Sequence, residues 1–384
     1  MNDISAQIDL DKITQYFIEN GYNYFNPSMT LPAEIVMNFM GEDVRNRLLF
    51  VASPDGQEYC IRPDFTLSLA LDYLRNNNTA SKFVYDGLAF RFPSAHEKTR
   101  SCPEFRQIGI EDFGSKDKLE TEIRIITEAY DILRDICNFE LEITISDIGL
   151  FFQLLDSISL SDQIKNKLKR LYWRGSSINE FKSVIELEQF KNKSKEFKFD
   201  TSFIGEYKKK HISSQDFIKK IAKDNNLTIY SSRSPDDIAL SFIDQYESFK
   251  SNPINKPILD LLIEFLSMEK SGASFINDIE IFANKYEIDL KEEIQKTKKR
   301  LLLLEKKGIP IEGIQFKTTL ARKVEYYTGL IFEISAKDAS QNNQIAIGGR
   351  YDNIFTELGS KSSVPAVGCA IYIDRLIYTG KLYG

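Results

Sequence analysis

The sequence predicts an α+β protein in which a platform of strands and helices is split by a mostly helical insertion. Three observations carry this. Residues 1–150 mix alternating, strand-like runs with amphipathic helices. Residues 151–310 read as helix after helix, and after 310 the alternation returns. The expected organisation is a discontinuous platform of 1–150 and 311–384 around an insertion of 151–310.

Each element has its own signal. "IDLDKITQYFIENGY" places Ile8, Leu10, Ile13, Phe17 and Ile18 at helical spacing, with Gly21 at the C-cap. "RLLFVASPDGQEYCIR" is two strand-like runs around Pro54-Asp55-Gly56, a hairpin turn. "YCIRPDFTLSLALDYL" passes from a strand into an apolar helix. "SKFVYDGLAFRF" and "PEFRQIGIEDFG" are two further strands joined by a polar loop. "KLETEIRIITEAYDILRDI" is a helix with Ile123, Ile126, Ala129, Tyr130 and Leu133 on one side, and "FELEITISD" alternates as a strand.

In the insertion, Ser234-Pro235-Asp236-Asp237 reads as a helix start, and "LKEEIQKTKKRLLLLEKKG" as a helix closed by Gly308. The strands expected beyond 310 are "GIQFKTTL", "VEYYTGLIFEIS", "NQIAIG" and "VPAVGCAIYI". Period-2 alternation through the second of these puts Tyr326 and Thr328 on one face. Glu325, Tyr327 and Gly329 fall on the other, with Gly329 leaving room beside Tyr327.

Composition excludes several classes of function. A net charge of −6 does not suit a nucleic-acid binder acting through bulk electrostatics. The lysine clusters of the insertion are interleaved with acids and read as solvated helix faces. Two histidines, His96 and His211, argue against a histidine-based triad or a polyhistidine metal site by inventory. Cys60, Cys102, Cys137 and Cys369 form no C-x-x-C pair and read as free thiols of a reducing compartment. "MNDISAQIDLDK" lacks the features of a secretory signal, and no apolar run reaches membrane-spanning length. The expected location is the cytoplasm.

Three stretches place charge or open space inside predicted strands. Asp64 and Thr66 either cap the helix that follows or face a pocket, where Asp64 suits an ammonium group. Gln107 and Glu111 flank Gly109 on one strand face, and make either a small polar slot or a solvent-facing edge. Gly348-Gly349, before Arg350-Tyr351-Asp352, lets backbones approach closely or opens space at a strand end; it is no phosphate cradle.

Taken in order, these pieces resemble the catalytic domain of histidyl-tRNA synthetase, a class II aminoacyl-tRNA synthetase. "GYNYFNP" looks like dimer-forming motif 1, and "RPDFT" is similar to the family's Arg-Pro-Glu-Gly-Thr. "FRF" with "EFRQIGIE" resembles motif 2, and "PAVGCAIYIDRL" resembles motif 3. "RKVEYYTG" and "GGRYD" resemble the two histidine-specific signatures. The resemblance implies an antiparallel sheet flanked by helices. It also implies a histidine pocket in which Asp64 and Thr66 meet the ammonium and Gln107 meets the backbone end of the ligand. By the same resemblance Glu111 and Tyr327 would take positions around the imidazole, Tyr351 would close the same pocket, Tyr326 would be a further histidine-binding residue, and Arg322 would stabilise carboxylate and phosphate charge.

The ATP half departs from the family pattern. Pro93 replaces the motif 2 acid that meets adenine, and Tyr372 replaces a motif 3 glycine, while Arg91 and Arg375 remain. Phe65 replaces a glycine in the ammonium motif. The sequence stops at Gly384, where active synthetases continue into an anticodon-binding domain, so specific tRNA binding is not expected. This combination is similar to the regulatory subunits of ATP phosphoribosyltransferase. That implies a non-catalytic chain without cofactor, which supports a short-form catalytic subunit and binds histidine for feedback inhibition. Dimers would assemble into a hetero-octamer. A truncated enzyme that activates histidine with ATP is the alternative.

Overall fold

Six alternating runs form one antiparallel ladder, in the order 82–90, 104–113, 366–372, 344–350, 330–336 and 141–147. The computed structural model describes residues 10–40, 42–54, 56–75, 81–93, 102–137, 140–185, 201–209, 211–224, 235–236, 238–240, 243, 256–320, 326–337 and 344–383.

The chain begins with α1 (Leu10–Glu19), which buries Ile13 and Phe17. It leaves the helix through Gly21 at φ +84°, a left-handed position that favours glycine, and enters β1 (Asn23–Tyr24). β2 (Thr30–Pro32), α2 (Ala33–Phe39), α3 (Glu42–Arg45), β3 (Phe50–Ala52) and β4 (Glu58–Ile61) follow. The three strands pair as a small separate sheet, with the expected hairpin turning at Gly56. α4 (Thr66–Arg75) leads to β5 (Lys82–Phe90) and β6 (Glu104–Phe113). α5 (Lys118–Ile136) starts where the Asp117 carboxylate accepts the Glu120 N–H at 3.0 Å, and β7 (Leu141–Asp147) follows it.

α6 (Ile148–Ser157), α7 (Asp162–Trp173), α8 (Thr201–Lys208), α9 (Ser214–Asp224) and α10 (Lys256–Leu266) come next. The chain then adds β8 (Glu269–Ser271), α11 (Gly272–Lys285), α12 (Lys291–Lys306) and β9 (Ile314–Lys317). It ends with β10 (Leu330–Ala336), β11 (Gln344–Arg350), α13 (Ile354–Glu357), β12 (Ala366–Tyr372) and α14 (Ile373–Tyr383).

Two compact units result: residues 1–153, 173–175 and 267–384, and residues 154–172 and 176–266. The helical run read at 151–310 therefore divides between them. In the first unit β1 and β9 extend the antiparallel ladder by parallel pairing, and β8 lies on the outer side of β9. The second unit gathers Ile204, Phe217, Ile221, Ala239 and Ile243 into a core, with Phe203 and Tyr207 packed against it. Of the helix start expected at 234, Ser234 and Asp237 lie outside the described residues.

Two strand expectations are corrected. β10 begins at Leu330, so residues 326–329 are not part of the ladder, and the face assignment of Tyr326 and Tyr327 fails. Thr328 N–H instead bonds to Arg350 O at 2.8 Å, and Gly329 O accepts from Ile148 N–H at 3.1 Å. The room beside Tyr327 comes from Gly349, where a Cβ would lie 2.8 Å from the Tyr327 ring. At Gly329 a Cβ would meet only Arg350, at ordinary contact distance.

A buried ionic network ties α12, α5, β7 and β11 together. Arg300, 8% exposed, donates to Glu122 at 2.8 Å and to Asp147. Arg350 holds the other Glu122 oxygen, pairs with Asp352 at 2.9 Å and donates to Lys118 O at 2.7 Å. Each acid here answers a guanidinium, which is the condition for burying them.

Candidate functional site

Gln107 and Glu111 lie two and six residues along β6 from Phe105, in the interior of the sheet rather than on an edge. Both are 1% exposed and both line one cavity, so the solvent-facing reading of this strand is overturned. The cavity encloses about 730 Å³ of empty space, counted out to its open mouth.

Its floor is shaped by glycines. Glu111 pairs across the ladder with Gly368, and its carboxylate lies over that glycine: a Cβ there would sit 1.5 Å from Oε2. Gly109, between Gln107 and Glu111, is not an empty slot. Its cross-strand partner Tyr85 puts its hydroxyl 2.3 Å from where a Cβ would be. Tyr85 is thus a lining residue that sequence reasoning missed. The signal was the Gly109↔Tyr85 register, which no local pattern reveals. Phe65, the departure from the family motif, stacks on Tyr85 at 4.3 Å between centroids, and Arg62 packs over Phe65 at 4.0 Å. Arg62 also donates to Pro27 O and Leu88 O, so it anchors the α4 approach and does not line the cavity.

Asp64 does both things the sequence left open. Its Oδ1 accepts from Leu67 N–H at 3.5 Å in the first turn of α4, and it lines the cavity while 8% exposed. Burial pushes its carboxyl up, against the pull of Arg91 and of backbone N–H groups. Thr66 donates to Glu111 Oε1 at 2.7 Å, and the Tyr351 hydroxyl donates to Oε2. Burial pushes the Glu111 carboxyl up to about 8, although those two hydrogen bonds pull it down; Asp64 pushes it further up.

Tyr326, Tyr327 and Tyr351 complete the wall. Their centroids are 5.1 Å (Tyr326–Tyr327), 5.4 Å (Tyr326–Tyr351) and 6.3 Å (Tyr327–Tyr351) apart. Because 326–329 is irregular, both consecutive tyrosines line the same cavity, which a strand would forbid. Trp173 Nε1–H holds this segment through Tyr327 O at 2.9 Å. Burial drives all three phenols well above their ordinary range, so they stay protonated and can donate. Arg322 lies outside the described residues.

Arg91, Tyr372 and Arg375 line this same cavity, whereas Pro93 stands outside its lining. The Gln107 amide oxygen is buried with no hydrogen-bond partner. The cavity therefore holds two carboxyls, two guanidiniums, five phenols and an unmet acceptor. That set is built for a small ligand with cationic or N–H groups and a carboxylate. Among the described residues, no group of three or more His, Cys, Asp or Glu could hold a metal. No helix among them is long and apolar enough to cross a membrane.

Comparison with known proteins gives the family and the fold. The sequence model of the histidyl-tRNA synthetase family matches residues 9–207 and 244–376. The chain is 28% identical over 347 residues to an ATP phosphoribosyltransferase regulatory subunit of Brucella anthropi, covering 90% of each chain. It is 27% identical over 370 residues to the subunit of that name from Mesorhizobium japonicum, covering 95% of each. In fold it is similar to a Bacillus halodurans protein described as an ATP phosphoribosyltransferase regulatory subunit/histidyl-tRNA synthetase. There the TM-score is 0.61 at 18% identity, over 96% of this chain and 77% of that one. Histidyl-tRNA synthetase from Nostoc sp. PCC 7120 gives a TM-score of 0.59 at 17% identity, over 98% of this chain and 71% of the other.

Proposed function

The chain belongs to the histidyl-tRNA synthetase family, and from that premise we propose that it is a non-catalytic regulatory subunit of ATP phosphoribosyltransferase that binds histidine. It would support a short-form catalytic subunit, with catalysis in that partner, and convey feedback inhibition within a hetero-octamer built on its own dimers. The partner assignment rests on the names of relatives that match 90% or more of this chain.

The observation that carries the histidine reading is the unmet accepting capacity of the cavity. Asp64 and the Gln107 oxygen suit an ammonium group, and Glu111 suits a ring N–H. The Tyr327 hydroxyl oxygen can accept from the second ring N–H. Arg91 and Arg375 line the cavity as cations for the carboxylate, alongside Arg322 from the family pattern. Histidine can inhibit only by as much as its affinity differs between active and inhibited assemblies. A 10–100-fold effect needs roughly 1.4–2.7 kcal/mol of differential binding.

Calorimetry tests the pocket. Wild type should bind histidine, and Glu111→Ala should lose about 10–100-fold in affinity, since a hydrogen bond to a charged group is worth roughly 1.5–3 kcal/mol. A wild type that ignores histidine, or a mutant that binds it equally well, ends this assignment. Co-purification with a short-form catalytic subunit, followed by activity with and without histidine, tests the regulatory role.

The pH dependence has a definite sign. One proton shared between Glu111 and the imidazole is the bound form. With Glu111 at about 8 and a free imidazole near 6.5, one proton is already present on the separated pair between those values. Affinity should be level there, fall below pH ~6.5 as a proton must leave, and fall above pH ~8 as one must be taken up. Affinity that rises steadily through pH 9 would contradict the shared proton.

The alternative reading, a truncated enzyme that activates histidine with ATP, draws support from Arg91 and Arg375 lining the same cavity. It predicts histidine-dependent exchange of pyrophosphate into ATP. The regulatory reading predicts none.

A further inference from the structure

The wall that carries Tyr326 and Tyr327 lies outside the ladder, so strand pairing does not fix it. Other hydrogen bonds hold it. Thr328 N–H donates to Arg350 O at 2.8 Å, Asp352 N–H donates to Thr328 Oγ1 at 3.0 Å, and Ile148 N–H donates to Gly329 O at 3.1 Å. Those bonds lie on Thr328 and Gly329. At Tyr327, whose ring lines the cavity, the donor is a side chain: Trp173 Nε1–H gives its hydrogen to Tyr327 O at 2.9 Å.

Trp173 is the chain's single tryptophan and the last residue of α7, 154 positions from Tyr327. It falls in none of the stretches that resemble the synthetase signatures, and it does not line the cavity. Residues 173–175 nevertheless belong to the first compact unit, while 154–172 and 176–266 form the second. Phe152 orients the indole, its ring meeting it edge-on at 5.2 Å and 86°. Phe152 belongs to α6, the helix whose first N–H, that of Ile148, holds Gly329 O. The start of α6 and the indole therefore grip neighbouring carbonyls of the wall.

Building on the histidine reading, we propose that Trp173 is a positioning residue for this cavity: its indole N–H fixes the Tyr327 carbonyl and so sets where the two consecutive phenols stand. Without the indole, the carbonyl of a residue only 5% exposed loses its donor, and the segment must shift to find another. A shift carries the Tyr327 ring away from its place against Gly349. The cost falls on the ring end of the ligand, where the Tyr327 hydroxyl accepts. A residue that never touches the ligand thus tunes its affinity.

The test compares the full chain with Trp173→Phe, which keeps a ring against Phe152 and removes the N–H. Trp173→Leu is the second variant should that one fold poorly. Without ligand, hydrogen–deuterium exchange over 326–330 should be at least about threefold faster in either variant, the scale of one lost hydrogen bond, with 104–113 unchanged. Calorimetry should show histidine affinity lowered at least about threefold. In a Tyr327→Phe background the same substitution should cost less than in wild type, since the two act on one contact. Unchanged exchange over 326–330, or exchange raised equally over 104–113, overturns the proposal. So does unchanged histidine affinity, or losses that simply add. If no form binds histidine, the reading of the pocket itself has failed, and the exchange comparison still decides the role of Trp173.

Discussion

Gly368→Ala should abolish histidine binding and cost about 2–4 kcal/mol of stability, the scale of a strained, disrupted buried site. A Cβ at this position would lie 1.5 Å from Glu111 Oε2 and 2.7 Å from Ile110 O. The second clash is with backbone, so a rotamer change at Glu111 cannot relieve it alone. The first forces the carboxylate off Thr66 and Tyr351, its two hydrogen-bond donors. Binding is then lost because the group that faces the ring has moved. Denaturant unfolding of Gly368→Ala, Glu111→Ala and the double mutant checks the mechanism. Removing the carboxylate first should reduce the cost of the alanine by at least about 1 kcal/mol, a coupling expected of residues in contact. Simple additivity would mean that the strain lies wholly in the backbone.

Arg300→Met should be the most damaging substitution outside the cavity, at about 3–5 kcal/mol. Arg300 serves Glu122 and Asp147, both 2% exposed, and links α12 to α5 and β7. Without it Asp147 keeps the Gly149 N–H at 2.8 Å, and Glu122 keeps Arg350, but the buried charge is no longer balanced. Thermal melts read this directly. A drop of only about 1–2 °C would show that the network is not what holds these elements together.

Strands and helices of the platform were legible because their signals are local. The alternation in 104–113 and 141–147, the apolar stripe of 118–136 and the Gly308 stop at φ +88° all require only neighbouring residues. The same locality misled at Tyr326 and Tyr327. Their alternation continues that of β10, yet the ladder starts only at Leu330. β8 was hidden for a similar reason: three residues among helices carry no period, and the strand exists only through its pairing with β9. The site residues Asp64, Gln107, Glu111 and Tyr351 were named from family motifs, and the structure brings them to one cavity. Tyr85 was not named, since it reaches the cavity by lying across from Gly109.

The sequence by itself determined which segments alternate and which coil, the family, and the chemical identity of the groups that could meet a ligand. Only the tertiary structure decided which of those groups share a space. Register across β5, β6 and β12 lays Tyr85 over Gly109 and Glu111 over Gly368, and the irregular approach to β10 brings Tyr327 against Gly349. Periodicity along one strand carries no information about the strand beside it, so the glycine that makes room and the side chain that fills it are matched only by pairing.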